Sequence, residues 1–482
     1  MRFTVPRNPL FYHILFGVFL LGYIYYAGTI ITKLELQSWD EAHNVQSAYE
    51  MQESGDWIGI TFHGKLDHWD IKPPLLTWMM AISIKIFGFS EWAVRIPTMI
   101  FGISTLILIY SFLSTVTRNH PIAFMCAVGL ALPVGFFGQH GMTTADYDMG
   151  IVFFNTLSTI AIFKIVFNED MRWWYILGVS LGLGFMTKSL MAFIPLTFFL
   201  PALSVTHKFS EVIKWKKALV SLLILLGVSL PYLIIREAKF HENYAWLLYY
   251  VDIYRKIKEP VEAHTGGWDF YFVTLSYVFK IGVKVFYGCI IMVLLTGFIL
   301  KRTIDDRYRT FIYFLICIVF YLLIFTTART KAAWYIYPVI PLMVIFCGLT
   351  FMDFTKRKYI ILVMAFATFI FARQVRLLDL YNKDRIGRNY ENMTKNLILP
   401  NKNIFENKIV LSADTLMPSA MTYIDIYTHG KHKNFLNYDD FNRSLDSGML
   451  YDLLIVSDTT LIKGTDRLKK ITSNGVMALY SK

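Results

Sequence analysis

Apolar runs of about helical-span length recur along most of this chain, and no other feature constrains its fold so strongly. The first, Phe11 to Ile31, lies between Pro9 and Lys33 and contains no Asp, Glu, Lys or Arg. A hydrocarbon core of ~30 Å takes about 20 residues of helix, so this run suffices. Comparable runs cover Glu91 to Val116, Pro121 to Phe137, Met149 to Val166, Trp173 to Met186, Leu190 to Val205, Ala218 to Ile235, Ile281 to Leu300, Phe311 to Thr327, Trp334 to Met352 and Tyr359 to Val375. They predict an α-helical polytopic membrane protein with about 11 transmembrane helices, one further apolar stretch, Leu75 to Phe89, being partly interfacial. The "TKSL" at Thr187 to Leu190 reads as a tight hairpin between two of these spans. Because apolar runs continue almost to Arg376, the first is read as a retained anchor and not as a cleaved signal.

The net charge of +12 is concentrated in short loops: Arg2 and Arg7, Lys208 to Lys217, Lys301 to Arg309, and Lys356 to Lys358. Nucleic-acid binding would need a basic face on a soluble domain. Clusters at the ends of spans instead mark cytoplasmic loops. The loops at Thr32 to Pro74, Gly138 to Asp148, Arg236 to Lys280 and Ala328 to Ala333 then fall outside. The four cysteines all lie in apolar runs without ligand spacing, so neither a disulfide framework nor a thiolate metal site is expected. After residue 377 the composition changes. "NKIVLSADT", "YDLLIVSDTT" and "VMALYSK" are short β-rich runs around a polar helix-like stretch, Met417 to Thr428. They predict a small extracytoplasmic α/β domain over 378–482, following a membrane domain over 1–377.

The outer loops hold ionisable residues that membrane insertion does not call for. "SWDEAHN" places Asp40, Glu41 and His43 just after the first span. Ser38 and Glu41 have the spacing of a capping box, but the same loop also carries "HWDIKPPLLTW", with Trp69, Asp70 and Lys72 ahead of two prolines. An isolated lysine at a membrane edge can simply snorkel; one beside an acidic pair invites a further role. In "QHGMTTADYDMG", Asp146 and Asp148 are more carboxylates than one helix cap requires. Arg329 and Lys331 oppose the orientation trend, which points to an anion outside the membrane, and the Tyr335 phenol beside them is a donor for phosphate oxygen. Carboxylates suit a general base, and cations suit an anionic leaving group.

The pieces "WDEA", "GDW", "KPPLLTW", "FGFSEWAVRIP", "DMG" before a span, "GLGFMTKSL" and "TKAAWYIYPVIP" occur in an order that resembles the GT-C fold integral-membrane glycosyltransferases, in the group of protein O-mannosyltransferases and lipid A aminoarabinose transferases. The resemblance covers residues 10 to 375. It implies an inverting transfer from a polyprenyl-phosphate sugar to a hydroxyl acceptor (lipid A, protein or glycan) at the extracytoplasmic face of a bacterial inner membrane. By the same resemblance Asp40, with Glu41 beside it, is the base, Asp148 the second-loop aspartate, and Lys72, Lys331 and Tyr335 contact the donor phosphate; Arg329, set against the orientation trend, is a further donor-phosphate candidate. His43, Trp69, Asp70, Arg95 and Asp146 are substrate-loop candidates. The chain departs from the family pattern at Ile71, where Glu commonly precedes Lys-Pro-Pro, at His43, where Arg often stands, and at Ala333 and Trp334, which replace a proline pair. No metal ligand is assigned: the chemistry does not require a divalent ion, and the resemblance leaves one open. The expected partners are the lipid-linked sugar, membrane lipids and the acceptor, with no nucleic acid. A transporter or flippase of a lipid-linked sugar is the alternative. It would place charges near the bilayer midplane on repeated, broken helices, and no repeat is visible here.

Overall fold

The computed structural model describes residues 8–37, 39–206, 214–299, 306–354, 375–383, 398–413, 418–435, 438–446, 451–456, 469–473 and 478–481. The chain divides into two compact units. One comprises Met1–Thr29, His68–Leu76 and Arg95–Tyr381, the other Ile30–Asp67, Thr77–Val94 and Asn382–Lys482. The first outer loop therefore groups with the C-terminal segment, whereas a single cut at 377 would assign it to the membrane part.

The first unit is helical. Its elements include α1 (Pro9–Ile31), α4 (Glu91–Thr117), α5 (His120–Ala131), α6 (Val134–Phe137), α7 (Asp148–Phe167), α8 (Trp173–Lys188), α9 (Phe199–Thr206), α10 (Trp215–Phe240), α11 (Tyr244–Tyr249), α12 (Phe270–Val278), α13 (Ile281–Ile299), α14 (Asp306–Thr327) and α15 (Val339–Phe354). Among the described residues seven helical stretches are long and apolar enough to cross a membrane, or eight if the pair Phe270–Val278 and Ile281–Leu295, bent by 114°, forms one span. The chain is a multi-pass membrane protein.

Among the described residues not all of the eleven expected spans are found, for identifiable reasons. His120–Ala131 is 12 residues long, roughly 18 Å of helix, and the polypeptide is broken before α6. The apolar run from Trp173 to Thr206 counts once, yet it is not straight. Ser189 has φ 52°, and a Cβ placed on Gly184 would lie 3.0 Å from that of Ala192. Eight residues of straight helix would separate them by about 12 Å, so the chain turns back at Ser189 through a 3-10 segment, Ser189–Phe198. The expected span from Tyr359 to Val375 lies almost wholly outside the described residues.

Close helix contact in this unit depends on small residues. A Cβ on Gly178 of α8 would meet the Ser221 carbonyl oxygen of α10 at 2.5 Å, and one on Gly182 would meet Val228 at 2.9 Å. Glycine at both positions lets the two backbones touch.

The second unit holds α2 (Asp40–Ser54), the hairpin β1 (Thr61–Phe62) and β2 (Lys65–Leu66), most of α3 (Leu75–Phe87), and a five-stranded sheet with its helices. Helix α2 stops at Gly55, whose φ of 70° is left-handed and whose N–H returns to Met51 O at 3.1 Å. The sheet contains β3 (Val410–Ala413), β4 (His432–Phe435), β5 (Leu453–Val456), β6 (Lys469–Ser473) and β7 (Ala478–Ser481) in the order β4-β3-β5-β7-β6. Strand β3 is parallel to β4 and β5, and β7 is antiparallel to β5 and β6. The parallel strands follow one another through α16 (Pro418–Tyr427) and α17 (Tyr438–Asp446), as helical crossovers require. Leu411, Phe435, Phe441, Leu454 and Val456 form the core, and β5 is buried along its whole length.

Candidate active site

In the first unit, Lys72 stands at a corner fixed from both sides. Pro73 and Pro74 restrict the chain after it. Before it, Ile71 presents its carbonyl to the Tyr244 hydroxyl at 2.6 Å. Tyr244 is held in turn by Arg236, whose guanidinium lies 4.0 Å from the ring centroid and donates to Tyr232 at 3.0 Å and Glu242 at 3.3 Å. Where the resemblance expects a Glu side chain at 71, this chain has a buried Ile and a tethered carbonyl.

Lys72 pairs with Asp70 and lies 5.0 Å from the Tyr147 ring centroid. Asp252, in the π-helical turn Tyr250–Arg255, accepts from Lys256 at 2.8 Å. Burial opposes the charge on Lys72, but the carboxylate of Asp70, then Tyr147 and Asp252, more than offset it and raise its pKa well above the ordinary lysine value. Burial likewise opposes ionisation of Asp252, and Lys256 and Lys72 reverse the effect, leaving its carboxyl below the usual range. The Lys256 ammonium is pushed up, burial again being outweighed by Asp252.

A second constellation lies at the ends of α7 and α8. Asp148 opens α7 and its Oδ1 pairs with Lys188, the last residue of α8. Its Oδ2 faces His140 Nδ1 at 3.1 Å, and Asp146 Oδ2 lies 3.7 Å from the same nitrogen. His140 has φ 54° and its ring stacks on Trp334 with centroids 3.8 Å apart. Tyr335 connects the two constellations: Lys188 Nζ is 5.5 Å and Lys256 Nζ 5.8 Å from its ring centroid. The loop carrying Tyr335 is fastened to residues 256–264, since Thr330 N donates to Lys256 O and Lys331 N to His264 O, each at 3.0 Å.

The remaining candidates of this unit are more varied. Lys331 is buried, and its ammonium donates to the carbonyls of Thr326 at 2.6 Å and Ala328 at 2.9 Å, at the C-terminal end of α14. Burial lowers its pKa. Arg329 is exposed, Trp69 is 48% exposed, and Arg95 is fully buried within α4.

In the second unit, Asp40 is the first residue of α2, where an acidic group favours the positive end of the helix dipole. Glu41 is buried and accepts the Gln37 N–H at 2.8 Å. Ser38, the other half of the expected capping box, lies outside the described residues. His43 Nε2 meets Asp67 Oδ2 at 2.6 Å, and its ring stacks on Phe62 with centroids 4.0 Å apart. His43 is thereby tied to the β-hairpin region.

The structure is similar over 97% of both chains to ArnT from Cupriavidus metallidurans bound to undecaprenyl phosphate, with a TM-score of 0.70 and 14% sequence identity. The chain has the GT-C fold. A more distant likeness places this GT-C chain beside the archaeal oligosaccharyltransferase AglB of Archaeoglobus fulgidus, solved with an inhibitory peptide and a dolichol-phosphate (TM-score 0.52, 10% identity, 91% of this chain and 69% of that one). Residues 71–250 match the family model described as dolichyl-phosphate-mannose-protein mannosyltransferase. An undecaprenyl phosphate-alpha-4-amino-4-deoxy-L-arabinose arabinosyl transferase of Pseudomonas fluorescens is 29% identical over 242 residues, 48% of the GT-C chain and 40% of the relative. The Pseudomonas aeruginosa enzyme of that name is 26% identical over 242 residues, 49% and 43% respectively. The alignments thus span about two fifths of the length of these curated relatives.

Sequence reasoning passed over His140, Tyr147, Lys188, Asp252 and Lys256 as site residues. Lys188 carries a signal, since an ionisable residue inside an apolar run marks function by default, and the turn at "TKSL" places it at a helix end. Asp252 and Lys256 have i,i+4 spacing, which identifies a pair without showing which side of the helix it faces.

Proposed function

We propose that this chain is an inverting glycosyltransferase that moves a sugar from a polyprenyl-phosphate donor to a hydroxyl acceptor at the periplasmic face of a bacterial inner membrane. The observation that carries the reading is the set of cations around two phenols in the first unit: Lys72 over Tyr147, and Lys188 and Lys256 over Tyr335. Buried ammonium groups held by carboxylates are preorganised for an anion whose charge rises during reaction. The fold of a protein solved with undecaprenyl phosphate supports the choice of anion.

In this mechanism Asp40 takes the proton of the acceptor hydroxyl. The acceptor oxygen attacks the anomeric carbon from the face opposite the phosphate, the carbon–oxygen bond to phosphate breaks, and its electron pair leaves on the phosphate oxygen. Configuration inverts. Lys72 and Lys188 stabilise the added negative charge, which at a low-dielectric interface is worth more than in water. Tyr335 donates to a phosphate oxygen. Asp148 is ill-suited to be the base, because Lys188 and His140 occupy its two oxygens; its role is to aim Lys188. Asp146, Asp70 and His43 hold neighbouring side chains in place.

The transporter alternative expects charges near the midplane, whereas Asp148 begins a helix and Lys188 ends one. The deciding assay offers purified protein a panel of polyprenyl-phosphate sugars, beginning with an aminoarabinose donor, with glycolipid and peptide acceptors. Asp40→Asn abolishes transfer and leaves membrane insertion intact. Undiminished transfer by that variant, or movement of lipid-linked sugar across vesicles with no transfer at all, rejects the proposal.

A further inference from the structure

Strands β1 and β2 are joined by His63 and Gly64, both at positive φ (51° and 72°), as in a type I′ turn, where Asn or Gly is the usual first residue. The His63 ring does not point idly outward. Its Nδ1 lies 2.7 Å from Asp425 Oδ2 on α16. The other oxygen of Asp425 meets His432 Nδ1 of β4 at 2.9 Å, and His432 Nε2 meets Ser412 Oγ of β3 at 2.8 Å. This Ser–His–Asp order imitates a hydrolase triad, but Ser412 is fully buried and donates to Asn434 Oδ1 at 2.6 Å, so no substrate reaches it.

What the row does is mechanical: it joins the hairpin that follows α2 to two strands of the C-terminal sheet. Four further bonds fasten α2 itself. Thr422 of α16 donates to Ala42 O at 3.3 Å, and Tyr49 donates to Ile426 O at 3.3 Å. Glu50 Oε2 accepts both the Thr61 hydroxyl at 2.6 Å and the Gly64 N–H at 3.1 Å. Ala42 is two residues from Asp40, in the first turn of the same helix.

We propose that the C-terminal sheet and α16 are the positioning scaffold of the helix that presents Asp40, with Asp425 as the positioning residue and its contact with His63 as a protonation-sensitive catch. The proposal rests on the reading of Asp40 as the base. The charged groups around His63 are Asp425 from α16, Glu50 from α2, His432 across the Asp425 carboxylate, and exposed Lys65 on β2. Burial disfavours the charged ring, but Asp425 and then Glu50 hold its pKa above the ordinary value. A raised histidine pKa means that the catch is fully engaged below the unfolded value of about 6.5 and weakens as pH rises through the folded value.

The test measures amide hydrogen exchange at residues 61–66 and in the first turn of α2, from about pH 6 to 8.5, in the full-length protein and in its H63Q, D425N and D40N variants, alongside transfer kinetics. Charge assistance roughly doubles a hydrogen bond, so intrinsic-rate-corrected protection of the hairpin in the unsubstituted protein falls about fivefold across that range. In H63Q it is low and independent of pH. Both H63Q and D425N lower kcat with the donor KM unchanged, H63Q also losing the matching pH dependence. Wild-type protection and pH profile in H63Q, a substitution at a partly exposed side chain, overturn the catch. An unaltered kcat despite lost protection overturns the scaffold role. If D40N transfers normally, the reading of the base fails while the exchange data still decide the catch.

Discussion

Replacing Asp148 by Asn leaves the Lys188 ammonium without its counter-charge in a site where the two side chains are only 4% and 6% exposed. Breaking a buried pair from one side costs about 3–5 kcal/mol, because the surviving charge stays desolvated. The Asn amide also offers only one acceptor oxygen to two donors, Lys188 and His140 Nδ1 at 3.1 Å, and its NH2 must face one of them. The loss is not the sum of these effects, since they share one carboxylate. Denaturant unfolding in detergent of the unsubstituted protein, D148N, K188M and the double variant closes a thermodynamic cycle. D148N is destabilised by about 3 kcal/mol or more, the double variant recovers most of that, and the coupling exceeds ~2 kcal/mol. Donor KM rises in D148N as Lys188 loses its aim. A D148N protein within about 0.5 kcal/mol of the unsubstituted one, or a double variant as unstable as the two single losses added, refutes the buried-pair account.

Lys72→Met lowers kcat/KM by about 10² or more in the transfer assay, while Tyr244→Phe, which frees the Ile71 carbonyl beside it, lowers it less. The network of Lys72, Asp252 and Lys256 titrates outside the neutral range. The depressed Asp252 contributes stability above its unfolded pKa of about 3.9 that is lost as pH falls through its folded value, and the two raised lysines contribute below about 10.4 and lose it as pH rises through theirs. Donor binding is therefore flat between about pH 5 and 9 as far as these groups are concerned, which a titration of donor affinity checks. Gly178→Val puts a side chain where a Cβ already meets Ser221 O at 2.5 Å; forcing α8 from α10 costs about 1–3 kcal/mol or more, read as a lower thermal midpoint.

How far the sequence carries depends on the range of the interaction being read. Apolar run length and β-rich alternation are local, so the membrane class and the C-terminal strands at Val410, Leu453 and Ala478 emerge from composition alone. Helix continuity is not local. The turn at Ser189 has a local mark in "TKSL", but the early end of α5 at Ala131 falls inside an unbroken apolar run. Pairing is less local still: Asp148 and Lys188 are 40 positions apart, and each taken alone has a bland reading as a cap or a loop residue. The grouping of the first outer loop with the C-terminal segment likewise rests on contacts such as His63–Asp425, invisible along a one-dimensional chain.

Lys331 separates the two kinds of evidence most sharply. Its place in a basic outer loop gives it the profile of a phosphate ligand, and its backbone position, bonded to His264 O, is next to the Tyr335 site. Its ammonium, however, already donates to two carbonyl oxygens at the end of α14, where a cation offsets the negative helix pole and satisfies acceptors that the helix leaves over. Recruiting it to a phosphate would strip both carbonyls in a buried setting, at about 1–3 kcal/mol for each acceptor left without a donor. Burial has lowered its pKa as well, which makes the charge less firmly held than that of Lys72. Lys331→Met therefore lowers the unfolding midpoint clearly and raises donor KM by less than Lys72→Met does. The reverse pattern, unchanged stability with donor binding lost as completely as in the Lys72 variant, would show that the ammonium leaves the helix end to meet the lipid phosphate.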